Sequence, residues 1–232
     1  MNLAKVYIAI FLGLGGLAAT SSAAQEQPTR KAAIDQRRRS IDEFSRKRDA
    51  LSQESYRDIL WRNKVDMTSS GLIAALGDRE PTVRLAAVVF LGKQQNRAAV
   101  SALKNSLKDP SSAVRLTSAR ELSNLDDPYG FAVIEAETKN EDPSRRLGAV
   151  GLIASFDKFP DKKARVVDLL VGSLKDENKD IRQIAASSLA LIGDINAIPA
   201  LRAARDRETD STVRMIMNEH IRWLEYLQTL KP

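Results

Sequence analysis

The apolar and polar residues from position 67 onward follow one pattern that occurs five times. In each copy a polar turn precedes a basic residue and an apolar helical stretch, and another apolar helical stretch lies before the turn. The basic residues recur at intervals of 31, 31, 36 and 32 residues, at Arg84, Arg115, Arg146, Arg182 and Arg214. Such a period is typical of stacked repeats. Each unit is therefore predicted to contain a helix A, a short turn and a helix B.

An acidic or amide residue stands six positions before each of these arginines, at Asp78, Asp109, Asn140, Asp176 and Glu208. A guanidinium group can bind a carboxylate and nearby carbonyls together. We therefore predict a structural ladder formed by Asp78, Arg84, Asp109, Arg115, Arg146, Asp176, Arg182, Glu208 and Arg214. The alternative is a row of arginines that bind a partner.

The turns and the apolar helices predict how the units pack. Pro81, Pro110 and Pro143 lie in turns, and Ser112, Ser144 and Thr212 are predicted N-caps. Small apolar residues in the B helices allow close approach of neighbouring helices, at Ala86, Ala119, Ala149 and Ala186. One helix pair cannot bury both of its faces, but a stack of pairs can. An all-α fold follows.

The recurring motif D-x-x-x-x-V-R-x-x-A, as in Asp78 to Ala87 and Asp176 to Ala185, resembles the HEAT-repeat family. The short units are most similar to the HEAT-like repeats of phycobilisome lyases. The resemblance implies an α-solenoid, a right-handed superhelix of about five HEAT-like helix pairs, within a domain at 67–232, and a ladder that joins adjacent repeats. The third unit departs from the motif, because Asn140 replaces the acid and Arg145 replaces the valine. The motif is specific for fold and not for function.

Residues 25–66 are predicted to form a basic amphipathic helix. Apolar residues recur at spacings near 3.5, at Ile34, Ile41, Phe44, Leu51, Ile59 and Leu60, between runs of arginine and lysine. Three roles stay open for this helix. Its apolar stripe covers the repeat domain, or it is a spacer or coiled-coil arm, or it attaches to an anionic membrane surface through Arg37 to Arg48.

Residues 1–24 are predicted to be a signal peptide. Lys5 precedes an uncharged apolar run, and Ser22, Ala23 and Ala24 supply the small residues of a cleavage site. This predicts a periplasmic or secreted protein. The alternative is an uncleaved N-terminal segment that anchors the protein in a membrane.

The composition excludes several classes of site. The chain has no cysteine and a single histidine, so thiolate chemistry and sites that need two imidazoles are excluded. His220 is predicted to be a surface residue of the last helix. Residues 67–232 hold 24 basic and 22 acidic side chains, a balance that does not favour a nucleic-acid partner. We expect no cofactor, no metal site and no catalytic residues.

The prediction is therefore a non-catalytic scaffold of the periplasm or cell envelope that binds a protein or peptide on its concave face. The residues predicted to contact the partner lie on the exposed side of the B helices and are Arg120, Glu121, Arg145, Gln183 and Asn218. Trp61 and Trp223 are predicted to cover the ends of the fold. Two alternatives remain, a membrane-surface adaptor acting through residues 28–64 and a lyase-like protein that handles a chromophore or ligand.

Overall fold

In the part of the chain that the computed structural model describes, one long α-helix precedes five pairs of α-helices. The structure describes residues 28–95, 97–125, 127–156 and 159–230, and for residues 41–54 it describes the backbone alone. The predicted signal peptide at 1–24 lies outside the described residues. Helix α1 spans Arg30–Arg62. The pairs are α2 Ser69–Ala75 with α3 Pro81–Lys93, α4 Val100–Ser106 with α5 Ser112–Asn124, α6 Pro128–Glu137 with α7 Pro143–Ile153, α8 Pro160–Ser173 with α9 Lys179–Ile192, and α10 Ile198–Arg207 with α11 Ser211–Thr229.

Prolines and carboxylates set where the helices begin. A proline is the first residue of α3, α6, α7 and α8, where its missing N–H costs no hydrogen bond. The predicted N-caps are wrong. Ser112 is already the first residue of α5, and the amides of Ser144 and Thr212 donate to the side chains of Asp142 and Asp210. A carboxylate on the residue before the helix is the stronger acceptor for these amides.

The five pairs stack in chain order into an all-α solenoid. Each B helix packs against its own A helix and against the B helices of neighbouring units, so the B helices follow one another as α3, α5, α7, α9 and α11. The small residues predicted to allow close approach, Ala86, Ala119, Ala149 and Ala186, are fully buried. Apolar side chains form one cluster in the first two units and another that is centred on the last three.

Helix α1 lies along the row of B helices. It packs against α3 at one end of the stack and against α9 and α11 at the other. Its 33 residues span about 50 Å at 1.5 Å per residue. The four steps from α3 to α11 cover about 32–40 Å at the usual 8–10 Å between packed helices. One helix is therefore long enough to reach both ends of the stack.

Candidate interaction surface

The first four of the five ladder arginines divide their hydrogen bonds between two units. Nε and Nη2 of Arg84 donate to the Asp109 carboxylate of the next unit, at 2.7 and 2.8 Å. Its Nη1 donates to the carbonyl oxygens of Asp78 and Arg79 in its own turn, at 2.8 and 3.0 Å. The guanidinium therefore ties the turn of one unit to the turn of the next.

The same geometry recurs along the stack. Arg146 binds Asp176 through Nε and Nη2 at 2.8 and 3.0 Å, and Arg182 binds Glu208 with both distances at 2.7 Å. Nη1 of each donates to two carbonyls of its own turn. Arg214, in the last unit, donates to the carbonyl oxygen of Glu208. From Arg84 to Arg182 the ladder residues thus face one another from turn to turn and are not exposed, whereas Arg214 is exposed.

The acid at the start of each turn also fixes the turn itself. Asp109 Oδ1 accepts the amide of Ser111 at 2.8 Å, and the side chains of Asp78, Asn140, Asp176 and Glu208 accept the amide two residues later in the same way. Burial alone would raise the pKa of Asp109, but the bonds from Arg84 and the Ser111 amide hold it below its ordinary value. The Arg182 hydrogen bond likewise lowers the pKa of Glu208.

The third unit replaces the ladder acid with a glutamate from the preceding helix. The Glu137 carboxylate accepts Nε of Arg115 at 3.3 Å and is held by both Nε and Nη2 of Arg145. The Arg145 hydrogen bond is the main cause that lowers the pKa of Glu137, and burial opposes it. The two departures of this unit from the motif are therefore linked. Glu137 takes the place of the acid that is missing at Asn140, and Arg145 binds Glu137. The sequence signal for Glu137 was an acid one helical turn before Asn140.

The five residues predicted to contact a partner differ in exposure. Arg120, Arg145 and Asn218 are half-buried, whereas Glu121 and Gln183 are buried. The expectation that Glu121 and Gln183 lie on the exposed side of their helices is wrong. Glu121 lies in the space beside Gly92 of α3, where a Cβ atom would stand 2.3 Å from its Oε2, and it accepts two bonds from Arg120. Whether the five bind a partner stays a prediction.

The N-terminal end of α1 sits in a seat formed by the C-terminal ends of α9 and α11. Arg30 Nε donates to the carbonyl of Leu227 at 2.9 Å, and Arg38 Nε donates to the carbonyl of Leu191 at 3.4 Å. These carbonyls lie in the last turns of their helices, where cations are favoured. The Arg37 guanidinium lies 4.3 Å from the centre of the Trp223 ring.

Gly193 provides the apolar part of the same seat. It ends α9 in the left-handed conformation with φ of 73°, and a Cβ atom there would stand 2.5 Å from Cδ1 of Ile34. Ala33 is buried beside this contact. At the other end of α1, Leu60 is fully buried in the first cluster, with Tyr56 and Ile59 packed around it. Helix α1 therefore covers part of the repeat domain, the first of its three predicted roles.

The two tryptophans differ in their surroundings. Trp223 is half-buried and donates from Nε1 to the carbonyl of Ala190 at 3.1 Å. The side chain of Trp61 is 78% exposed, so the expectation that it covers the end of the fold is wrong. It follows the buried Leu60 along α1 and points away from the face that packs on α3.

His220 is buried, and the prediction of a surface histidine is wrong. Its Nε2 and Oγ of Ser187 are 3.0 Å apart, across the contact between α11 and α9. Burial, with a smaller effect from the charge of Arg37, lowers the pKa of His220 to about 3. The ring is neutral at physiological pH. Sequence periodicity could not show that α9 and α1 cover this part of α11.

The described part of the chain brings together no three histidine or acidic side chains able to hold a metal ion. Over the same residues, no helix has the length and apolar character needed to cross a membrane.

Three solved structures illustrate what this chain is similar to. The complex of CpcE and CpcF of phycocyanin lyase from Nostoc sp. PCC7120 has a TM-score of 0.50 and 23% identity, covering 66% of this chain and 96% of that one. A designed armadillo repeat protein has a TM-score of 0.48 and 18% identity, covering 74% and 87%. Human deoxyhypusine hydroxylase has a TM-score of 0.28 and 18% identity, covering 68% and 74%. Identities this low concern the fold alone.

A comparison with curated proteins found no match. The family described as HEAT repeats matches residues 69–150 and 131–220, which together extend from the start of α2 into α11. These matches extend over more than half of the sequence, and the chain belongs to the HEAT-repeat family.

Proposed function

We propose that this protein is a non-catalytic scaffold of the periplasm or cell envelope that binds a protein partner on its B-helix face. The observation that carries the proposal is the stack of five units joined turn to turn by the arginine ladder. Repeat stacks of this kind present extended surfaces suited to proteins and peptides. The periplasmic location rests on the signal-like sequence of residues 1–24.

The partner is proposed to be a protein because the row of B helices forms an extended surface on the scaffold. A structure that resembles this chain is itself a complex of two proteins, CpcE and CpcF. Three of the residues predicted to contact a partner are half-buried and keep some exposed surface. They are Arg120 on α5, Arg145 on α7 and Asn218 on α11. Arg120 and Arg145 also bond to the buried carboxylates of Glu121 and Glu137, so partner recovery by their variants is compared with the melting temperature of each variant.

The alternative of a membrane-surface adaptor receives less support from the contacts of α1. Arg30 and Arg38 are engaged with helix-terminal carbonyls, and Arg37 lies over Trp223. Cations used within the molecule contribute less to binding an anionic surface. Co-sedimentation with phosphatidylglycerol vesicles at low salt measures this directly, and binding that disappears at high salt would favour the adaptor.

Chemical cross-linking in intact cells that produce the full chain tests the scaffold. The protein is purified under denaturing conditions, and the attached proteins are identified by mass spectrometry. The proposal expects one dominant envelope protein. The double substitution Arg120→Ala and Asn218→Ala should reduce its recovery, because both residues belong to B helices and keep some exposed surface.

A matched control replaces Lys139 and Lys163 with alanine, which are exposed residues outside the B helices. This variant should recover the partner at the level of the unaltered chain. Recovery of no protein above background, or equal loss with both variants, would contradict the proposal.

A further inference from the structure

The two ends of α1 are held very differently. Leu60 at the C-terminal end is fully buried among apolar side chains of the first two units. At the N-terminal end the buried apolar residue is the small Ala33, and Ile34 is half-buried. Arginines hold the remainder of that end through carbonyl oxygens, with bonds of 2.9 to 3.4 Å. Apolar burial therefore fixes the C-terminal end, and the N-terminal end is the one that can be released.

The seat under the N-terminal end has the features of a helix-docking site. Gly193 leaves a socket that Ile34 fills, and a Cβ atom at 193 would also come within 3.4 Å of Leu227. Carbonyl oxygens at the ends of α9 and α11 accept arginines from the docked helix at positions 30 and 38. Trp223 supplies a flat surface on which Arg37 lies at 4.3 Å. Amphipathic helices dock in such grooves through anchors at helical spacing.

We propose that residues 30–40 are a displaceable latch, and that their seat on α9 and α11 also accepts a basic amphipathic helix of the protein partner. The partner helix carries an aliphatic residue where α1 has Ile34 and arginines where α1 has Arg30, Arg37 and Arg38. The identification of the occupant as a partner rests on the proposed function. The existence of the seat does not rest on it, and a peptide can test it without any partner.

Helix α1 also crosses the B-helix face, which is the surface proposed to bind the partner. The units between the two contacts of α1 carry α5 and α7, so a continuous helix from α11 to α3 passes along their side of the stack. A partner that lies along the B helices as far as α9 and α11 must therefore displace the latch. Undocking of residues 30–40 from the seat is therefore coupled to binding of the partner.

The chain allows a specific reporter and a specific lock. It has two tryptophans, so Trp61→Phe leaves Trp223, in the seat, as the sole tryptophan. It has no cysteine, so Ile34→Cys with Gly193→Cys introduces one pair. Ile34 Cγ1 is 2.8 Å from the Cβ position at 193. One C–C bond of about 1.5 Å puts the two Cβ atoms within about 4.3 Å, inside the range of about 3.5–4.5 Å for disulfides.

The first experiment titrates a peptide of residues 28–40 into full-length chains that carry Trp61→Phe and follows Trp223 fluorescence. One chain has its own latch undocked by Arg30→Gln, Ile34→Asp and Arg38→Gln. Its control carries the same kinds of change on the exposed side of α1, namely Lys31→Gln, Ala32→Asp and Arg39→Gln. Helix content by circular dichroism verifies that each chain is folded.

The undocked chain should bind the peptide at least tenfold more tightly than the control chain, whose own latch competes at an effective concentration of about millimolar. A peptide with Ile34→Asp should not bind. Equal affinity for both chains, or no binding to the undocked chain, overturns the seat. Dimers of the unaltered chain in sedimentation would also overturn the proposal, by assigning the seat to a second copy.

The second experiment repeats the cross-linking capture with the Ile34→Cys, Gly193→Cys chain, and its matched control is Ile34→Cys with Gly193→Ser. The oxidised pair should lose the partner at least tenfold relative to the control and regain it on reduction. Undiminished capture by the oxidised pair overturns the role of the latch in partner binding, even if the peptide binds. Absence of any captured protein with all chains instead contradicts the proposed function and leaves the peptide result standing.

Discussion

The ladder arginines of the first four units contribute to stability at two places in the molecule. Arg115 is 8% exposed, and its Nη1 donates to the carbonyls of Asp109 and Pro110 at 2.6 and 3.0 Å, while its Nε reaches Glu137 of the next unit. Loss of such a side chain leaves a buried carboxylate and two carbonyls without that donor. Removing one partner of a buried charged contact is costly, whereas an exposed ion pair contributes little.

Arg115→Ala should therefore lower the free energy of unfolding by about 2 to 3 kcal/mol. For a domain of this size that corresponds to a fall in melting temperature of about 4 to 12 °C. The control is Arg222→Ala, whose side chain is 73% exposed and pairs with Glu219. It should change stability by less than about 0.5 kcal/mol. If Arg115→Ala left the melting temperature unchanged and abolished partner binding, the arginines would be a binding row.

His220 predicts a loss of stability in mild acid. The folded state keeps the ring neutral down to a pKa of about 3, whereas the unfolded chain binds a proton below the ordinary value of 6.5. The unfolded state then carries more protons, so stability falls as pH falls from 6.5 towards 3. Between pH 7.5 and pH 5 the expected loss is about 2 kcal/mol.

Urea unfolding at the two pH values measures this loss, and His220→Gln is the informative variant. A glutamine does not titrate, so the stability of that variant should be nearly the same at pH 7.5 and pH 5. The ladder carboxylates do not confuse the result. Their pKa values are lowered in the folded state, so their contribution is lost only below the ordinary values of 3.8 and 4.5. An unchanged slope in His220→Gln would show that other groups cause the acid sensitivity.

At the scale of helices, the third unit exchanges one ladder arrangement for another. In other units an acid in the turn accepts the arginine of the preceding unit. Here Glu137 in the last turn of α6 accepts Arg115 and also Arg145, which stands where the motif has valine. One carboxylate on α6 thus holds both α5 and α7.

Glu137→Ala should destabilise the protein by about 3 kcal/mol, because it leaves two guanidinium groups without their carboxylate. Adding Asn140→Asp restores an acid at the ladder position, which in the second, fourth and fifth units binds the arginine of the preceding unit. We expect the double variant to regain about 1 kcal/mol of that loss. Guanidinium chloride unfolding of both single variants and of the double variant gives the interaction free energy. Strictly additive effects would mean that the turn position cannot replace Glu137.

Helix periodicity and the arginine–acid offset sufficed to predict the five helix pairs, the HEAT-repeat family and the small residues of the close contacts. They could not predict which surface each side chain meets. Gln183, Glu121 and His220 look like polar-face residues along their own helices, yet they are buried because each B helix has neighbours on more than one side. The apolar stripe of α1 was evident, but its seat combines Gly193, Trp223 and carbonyl oxygens that are far apart in sequence.

At the scale of the whole molecule, α1 changes the connectivity of the stack. In a simple repeat array each unit contacts only its neighbours, and distant units can unfold separately. Here Arg30 bonds to Leu227, 197 residues away, while Leu60 belongs to the core of the first units. The helix therefore connects the first unit to the last, in addition to the ladder. Contacts between the two ends should make unfolding more cooperative.

Undocking the N-terminal end of α1 should uncouple the ends. In chains with Trp61→Phe, Trp223 reports on the last unit and far-ultraviolet circular dichroism on all the helices. With the latch docked, both signals should follow one urea transition. With Arg30→Gln, Ile34→Asp and Arg38→Gln, the Trp223 transition should move to lower urea than the circular dichroism transition, because the last unit has lost contacts that the first has kept. The Lys31→Gln, Ala32→Asp, Arg39→Gln chain should retain coincident transitions, and separated transitions there would mean that the ladder alone sets the coupling.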